Sequence, residues 1–365
     1  MKPVRPRSRG TLASLAAELG VSSTTVSNAY NHPDQLSPAL RERILAAATE
    51  RGYPGPDPTA RSLRTRRAGS VGVLLTERLS YAFEDLASVD FLAGLADSSA
   101  GTGTSLTLVP VGPGDEDPVD APGLIRRAVV DGFIVYSVAA DDPNLAAARA
   151  TGLPIVVCDQ PYDIADLPFV GIDDRAAIRP AATALIDAGH TRIGILAKRL
   201  SRTRLDGPVN PTGINRADLH VQRSRIQGAL DVFAEAGIAP ADIPVVVRHH
   251  NDHDTAVDGA RELLTAHPDL TAVLCTTDSM AFGVLDHARA QGLRVPEDLS
   301  VTGFDGVDLA LSRGLSTVSQ PMRAKGTAAG AMLGELIAGT SATHSPRRLL
   351  ETSFVPGRTV APPRN

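Results

Sequence analysis

From Ser70 onward, short β-branched runs alternate with alanine-rich stretches of helical length, and this alternation constrains the fold of the 365-residue chain more than any other feature. The strand candidates are Val71 to Leu75, Leu106 to Val111, Gly132 to Tyr136, Ile155 to Cys158, Ile193 to Ala197, Val245 to Arg248, Ala272 to Cys275 and Ser300 to Phe304. Strands separated by helices form parallel sheets covered on both faces. Eight strands over roughly 290 residues exceed one sheet of ordinary size and predict two α/β lobes.

Several classes of protein are excluded early. No run of apolar residues is long enough to span a membrane, and the basic start, MKPVRPRSRG, leads into an amphipathic pattern with no secretory core, so a cytoplasmic protein is expected. The two cysteines, Cys158 and Cys275, sit in apolar runs without metal-ligand spacing and are expected to be buried and reduced.

The net charge of -5 is unevenly distributed. Residues 1–68 hold eleven Lys and Arg against five Asp and Glu, a net +6, which leaves -11 for the rest. A basic head on an acidic body is what a polyanion-binding module attached to a separate globular domain looks like. Arginine supplies nearly all the positive charge, since the only lysines are Lys2, Lys198 and Lys325.

Within the head, Thr11 is placed to cap a helix with Leu12, Leu15, Ala16 and Leu19 on one face and Gly20 at its end. Val21 follows as a turn residue. Ser22 caps a second helix, Ser23 to Tyr30, with Val26 and Ala29 or Tyr30 inward. Ser37-Pro38 opens a third, through Leu40, Ile44, Leu45 and Ala48 to Arg51, ended by Gly52. Ala16, Gly20 and Val26 have the spacing of a helix-turn-helix: a small residue at the crossing, glycine at the turn, an apolar plug. Further on, Asp57-Pro58 can start a short helix, Thr59 to Arg64, running into the basic stretch Arg64, Arg66, Arg67.

The segment GVSSTTVSNAYNHPDQLSPALRERILAAATERGY, followed by PTARSLRT, closely resembles the DNA-binding head of the lactose-repressor/galactose-repressor (LacI/GalR) family of bacterial transcription regulators, without a gap from Thr11 to Thr65. The blocks VDGFIVY, GLPIVVCDQP, FVGIDDRAA, GHTRIGIL, LCTTDSMAFG, GLRVPEDLSVTGFDG and LSTVSQP extend the likeness over nearly the whole chain. The resemblance implies a small all-α helix-turn-helix head (residues 1–56), a hinge helix and linker (57–69), and a two-lobed α/β periplasmic-binding-protein-like body (70–365). It also implies chain crossings between lobes near Gly171 to Asp174, near Gln320 and near residues 340–348, and a ligand in the interlobe cleft at the carboxyl ends of the strands.

Carried over residue by residue, the likeness puts Ser23, Thr24 and Asn28 against base edges and Ser22, Thr25, Ser27 and Asn31 near phosphates, with the capping Thr11 counted among the DNA contacts. Leu63 matches the leucine that wedges into the minor groove, flanked by Arg61 and Arg64. The cleft positions are Asp159, Arg225, Thr277, Asp278, Asp305 and Gln320; carboxylates with one arginine can grip vicinal hydroxyls. Tyr81 and Phe83, after the first strand, could give a stacking face. The chain departs from the family pattern in having Thr277 where sugar binders often have Asn, and in having no Trp.

Other motifs carry little. His249, His250, Asp252, His253 and Asp254 cluster on one loop without helical ligand spacing, so no metal is expected. No cofactor is expected either: Gly101 and Gly103 precede a strand instead of following one, and no GxSxG elbow or P-loop occurs. The stretch from Leu200 to His220 is long and rich in breakers, and is expected as a cleft-side loop. The expectation is a ligand-responsive, sequence-specific regulator and not an enzyme: a nucleoid-associated homodimer on a pseudo-palindromic operator, acting as a repressor with a sugar or similar polar effector. A solute-binding transport protein of the same body fold and an α/β enzyme are the alternatives. The C-terminal GRTVAPPRN carries no leucine heptad, so assembly beyond a dimer is not expected.

Overall fold

Local capping fixes the first three helices. In the computed structural model, which describes residues 10–55, 67–75, 82–110, 120–341 and 346–364, α1 (Leu12–Leu19) starts from Thr11, whose Oγ1 accepts from Ser14 N–H while Ser14 Oγ accepts from Thr11 N–H. Gly20 ends it at φ 65°, a left-handed conformation that glycine adopts without a Cβ penalty. Ser22 caps α2 (Ser23–Asn31), and Ser37 caps α3 (Pro38–Glu50) with Pro38 in its first turn. A turn of tighter helix, Pro33–Gln35, which the sequence did not announce, links α2 to α3. Leu15, Ala16, Val26, Ala29, Ile44 and Ala48 form the core of this unit, edged by Tyr30 and Tyr53. The chain divides into two compact units between Ala68 and Gly69.

The second unit holds thirteen strands among its described residues, in two sheets. In chain order they are β1 (Ser70–Leu75), β2 (Ser105–Pro110), β3 (Phe133–Tyr136), β4 (Ile155–Cys158), β5 (Phe169–Gly171), β6 (Ile193–Lys198), β7 (Gly207–Pro208), β8 (Val245–Arg248), β9 (Ala272–Cys275), β10 (Ser300–Asp305), β11 (Ser316–Ser319), β12 (Arg347–Leu349) and β13 (Ser353–Val355). The first lobe has the order β12-β5-β4-β3-β1-β2, all parallel. The second has β13-β11-β10-β9-β6-β8-β7, parallel except where β13 and β7 pair antiparallel at its two edges. Consecutive buried residues along β1, β4, β6 and β10 are what strands covered on both faces require.

All eight strands expected from the alternation form; β5, β7, β11, β12 and β13 are additional. The stretch from Leu200 to His220 is not a bare loop, because it contains β7 on the sheet edge and a helix at Pro211–Asn215. Two crossings fall as expected, after β5 and after β11. The third comes later than residues 340–348: β12 is held in the first lobe by pairing Arg347 with Phe169 and Leu349 with Gly171, so the chain changes lobe between Leu349 and Ser353.

Close helix crossings brace each lobe. The Leu86–Ser99 and Met322–Ala338 helices pack together in the first, the Asp174–Asp187 and His220–Glu235 helices in the second. Small residues allow this: a Cβ on Gly228 would run into the Arg175 carbonyl. Among the described residues no helix is long and apolar enough to cross a membrane. Both cysteines are buried, and burial pushes their thiols well above the ordinary value.

Candidate functional site

In the head, α2 buries Val26, Ser27 and Ala29 and leaves Ser22, Ser23 and Thr24 exposed at its N-terminal end, where side chains of a recognition helix meet bases. Ser22 Oγ accepts from Thr25 N–H at 3.0 Å and pairs with Thr25 Oγ1 at 2.8 Å. Two expected phosphate contacts are bonded to each other: Asn31 Nδ2 donates to Ser27 Oγ and to the Ser27 carbonyl, and Ser27 is buried. The pairing follows from α2 geometry, which brings residues four apart onto one face. Asn28, half-buried, donates to Gln35 Oε1 at 2.9 Å. Thr11 is exposed and bonded within its cap. Arg41 and Arg43 close helix ends by donating to the Ala29 and Leu19 carbonyls. Leu63, Arg61 and Arg64 lie outside the described residues, as does Tyr81.

In the body, strand ends from both lobes converge on a cleft of about 540 Å³. Asp159 follows β4, Asp305 ends β10, and Gln320 follows β11 at the second crossing; Arg225 reaches in from the His220–Glu235 helix. Arg225 is buried. Its Nε donates to Asp174 at 2.8 Å, one Nη to the Thr276 carbonyl at 2.8 Å and to Asp305 at 3.4 Å, and the guanidinium lies 3.6 Å over the Phe304 ring. Gln320 Nε2 donates to Asp305 at 2.6 Å, and its Oε1 accepts from Lys325 Nζ, which also donates to Asp159 at 2.6 Å. Asp159, Lys325, Gln320, Asp305, Arg225 and Asp174 thus form a continuous buried polar chain from the first lobe through a crossing to the second.

Electrostatics in this chain follow burial. Asp305 is pushed up to about 6 by desolvation, opposed by Arg225, and Asp174 is raised by desolvation against the same guanidinium. Thr277 lines the cleft, caps the Asp278–Ala290 helix and donates to Asn251 Oδ1 at 2.9 Å. Asp278, expected in the cleft, is absent from its walls. Its carboxylate accepts from Thr317 Oγ1 at 2.6 Å and Val307 N–H at 3.0 Å, tying the loop after β10 to the helix start, and it borders a second recess of about 750 Å³. Desolvation and then the Asp305 charge push Asp278 up to about 8. Phe83 is 59% exposed and not part of the cleft wall. The aromatic ring in that wall is Tyr136, stacked on Phe91 at 4.4 Å.

The cleft also draws on residues not singled out from the sequence: Asp85, Gln160, Lys198, Arg199, Gln222 and Asn251 line it, and Lys325 lies beneath it, wholly buried. One signal was available for two of them. Both lysines of the body, in a chain that otherwise uses arginine, come to this site. The histidine cluster is dispersed into caps and pairs: Asp252 accepts from Thr255 N–H, His249 meets His250 edge to face, and His253 faces Asp286 at 3.9 Å. Among the described residues no group of three His, Cys, Asp or Glu is placed to hold a metal.

Residues 11–55 match the family of bacterial regulatory proteins, lacI family, and residues 182–360 match a periplasmic binding protein-like domain. The HTH-type transcriptional regulator IpsA of Corynebacterium glutamicum is 54% identical over 359 residues, covering 98% of this chain and 99% of that protein. The chain belongs to the LacI family. A crystal structure of a LacI-family transcriptional regulator from Corynebacterium glutamicum superposes with a TM-score of 0.76 at 49% identity, over 97% of this chain and 100% of that one. A complex of the transcriptional regulator CelR with cellobiose gives 0.69 at 28% identity, over 96% and 100%. As a LacI-family protein the molecule is a DNA-binding transcription regulator and not an enzyme, which removes the transport and α/β-enzyme alternatives.

Proposed function

We propose that this LacI-family regulator is a cytoplasmic, nucleoid-associated repressor that holds a pseudo-palindromic operator as a homodimer and releases it when a sugar or similar polyol occupies the interlobe cleft. The buried polar chain from Asp159 to Asp174 carries this reading. A ligand that hydrogen-bonds to Asp159, Asp305 or Arg225 acts on groups anchored in both lobes at once, so its binding energy changes with lobe geometry. Such coupling is typically ~1–3 kcal/mol and reciprocal between effector and DNA. The relative solved with cellobiose supports a carbohydrate class of effector. Thr277 and the cleft-facing Tyr136 leave the particular ring open.

On the DNA side, the exposed Ser23 and Thr24, with Asn28 one turn on, would read bases, and Ser22 and Thr25 would meet phosphates. Residues 57–69 would form the hinge, with Leu63 as the minor-groove wedge and Arg61 and Arg64 beside it. Two symmetric heads make one tight reader through effective concentration.

The test is selection of sites from random duplex DNA by the full-length protein at ~150 mM salt, where non-specific phosphate binding is weak, followed by screening sugars and polyols for release of the selected duplex. Enrichment of a palindrome with a flexible central step, released by a member of the panel, is the expected result. No enrichment with or without a metabolite pool would overturn the reading.

A further inference from the structure

Four side-chain amides face the cleft: Gln160, Gln222, Asn251 and Gln320. Three have their oxygens engaged by protein donors. Gln160 Oε1 accepts from Val221 N–H at 2.9 Å, Asn251 Oδ1 from Thr277 Oγ1 at 2.9 Å, and Gln320 Oε1 from Lys325 Nζ at 2.5 Å. The fourth does not: Gln222 is 6% exposed, and its Oε1 is buried without a hydrogen-bond partner among the described residues. It sits three residues before Arg225 on the same helix, so the two share a face one turn apart.

The carboxylates in and behind the cleft wall are satisfied from within, Asp85 accepting from Ser88 N–H at 3.2 Å and Ser88 Oγ at 2.6 Å. Asp159 has Lys325, Asp305 has Arg225 and Gln320, and Asp174 has Arg225. An uncommitted buried acceptor matches a neutral donor, because a ligand anion would oppose the acceptor and a ligand cation would be opposed by Lys198 and Arg199 in the same wall. We propose that Gln222 is a specificity-determining residue of the effector site, accepting a hydrogen bond from one hydroxyl of a neutral polyhydroxy ligand. The assignment rests on the polyol reading of the cleft given above. Sites built to bond a hydroxyl reject the analogue that lacks it, since their buried polar group is then left unpaired.

Two measurements on the full-length chain test it, each with Q222M, which keeps length and removes the amide. In thermal unfolding without ligand, loss of an orphaned buried acceptor is expected to raise Tm by a few degrees; a lower Tm would mean that the amide is satisfied by the protein and would overturn the assignment. In calorimetric titration, the sugar or polyol that releases the operator is compared with its monodeoxy analogues. The unsubstituted chain is expected to reject one analogue about 10- to 100-fold more strongly than Q222M does. Equal discrimination by both proteins would overturn the role of Gln222 and leave the polyol reading intact. If no sugar or polyol releases the operator, the polyol reading fails and the assignment falls with it.

Discussion

Gln160 Oε1, from the first lobe, accepts a hydrogen bond at 2.9 Å from the backbone N–H of Val221 in the first turn of a second-lobe helix. That helix begins after Leu219, which offers no side-chain cap, so its cap comes from the opposite lobe. Gln160 is held in turn by donating to Ser137 Oγ at 3.0 Å. Tyr162 stacking on His220 at 4.6 Å and Arg202 meeting Asp141 at 3.4 Å close the same seam. Loss of a cap typically costs ~1 kcal/mol. Gln160→Ala is expected to lower Tm by a few degrees and to speed amide exchange selectively at Val221 and its neighbours, read by hydrogen-exchange mass spectrometry.

Removal of Lys325 leaves Asp159 and Gln320 Oε1 without their buried cation. Lys325→Met is expected to cost ~3–5 kcal/mol in denaturant unfolding. The double variant Lys325→Met, Asp159→Asn is expected to recover a substantial part, because no uncompensated charge remains. Additive losses in that cycle would show that the two groups are not coupled.

The pH dependence of stability carries the mark of Asp278. Its folded carboxyl titrates near about 8 against an ordinary value of 3.8, so between those values the folded state binds more protons than the unfolded state. Stability from this group is therefore fully present at low pH and is lost as pH rises through about 8. Asp305, raised to about 6, acts in the same direction over a narrower range. Relative to Asp278→Asn, the unsubstituted protein is expected to lose Tm progressively from pH ~4 to ~8 and to level off above that; parallel Tm curves over this range would contradict the assignment.

Two glycines give opposite expectations. Gly228→Ala puts a methyl against the Arg175 carbonyl at a helix crossing and is expected to destabilise by ~1–3 kcal/mol. Gly334→Ala, exposed within the Met322–Ala338 helix with nothing within 4 Å of its new methyl, is expected to stabilise by ~0.5–1 kcal/mol. Thermal unfolding of the two variants checks both.

The head was legible to within a residue or so because its determinants are local: Thr11, Ser22 and Ser37 cap from within a turn, and Gly20 and Gly52 mark ends by their own backbone. Buried strands announced themselves by runs of β-branched residues. The edge strands did not, because β12 is exposed and exists through its pairing with β5, a partner more than 170 residues earlier. In the cleft, Asp159, Thr277, Asp305 and Gln320 were found from family blocks and Arg225 from the wider family likeness, and the structure gathers them. Asp278 shared such a block yet faces a loop, and Gln160, Gln222 and Lys325 went unnoticed because amides and a lysine in amphipathic stretches look like solvated surface until long-range packing buries them.

The scarcity of lysine has a practical consequence for chemistry on the intact protein. Within the body the only two primary side-chain amines are Lys198, half-buried in the cleft wall, and Lys325, sealed beneath it. Among the body lysines acylation is therefore expected at Lys198 before Lys325, and the yield of the Lys198 adduct, read by mass, is expected to fall when the cleft is filled.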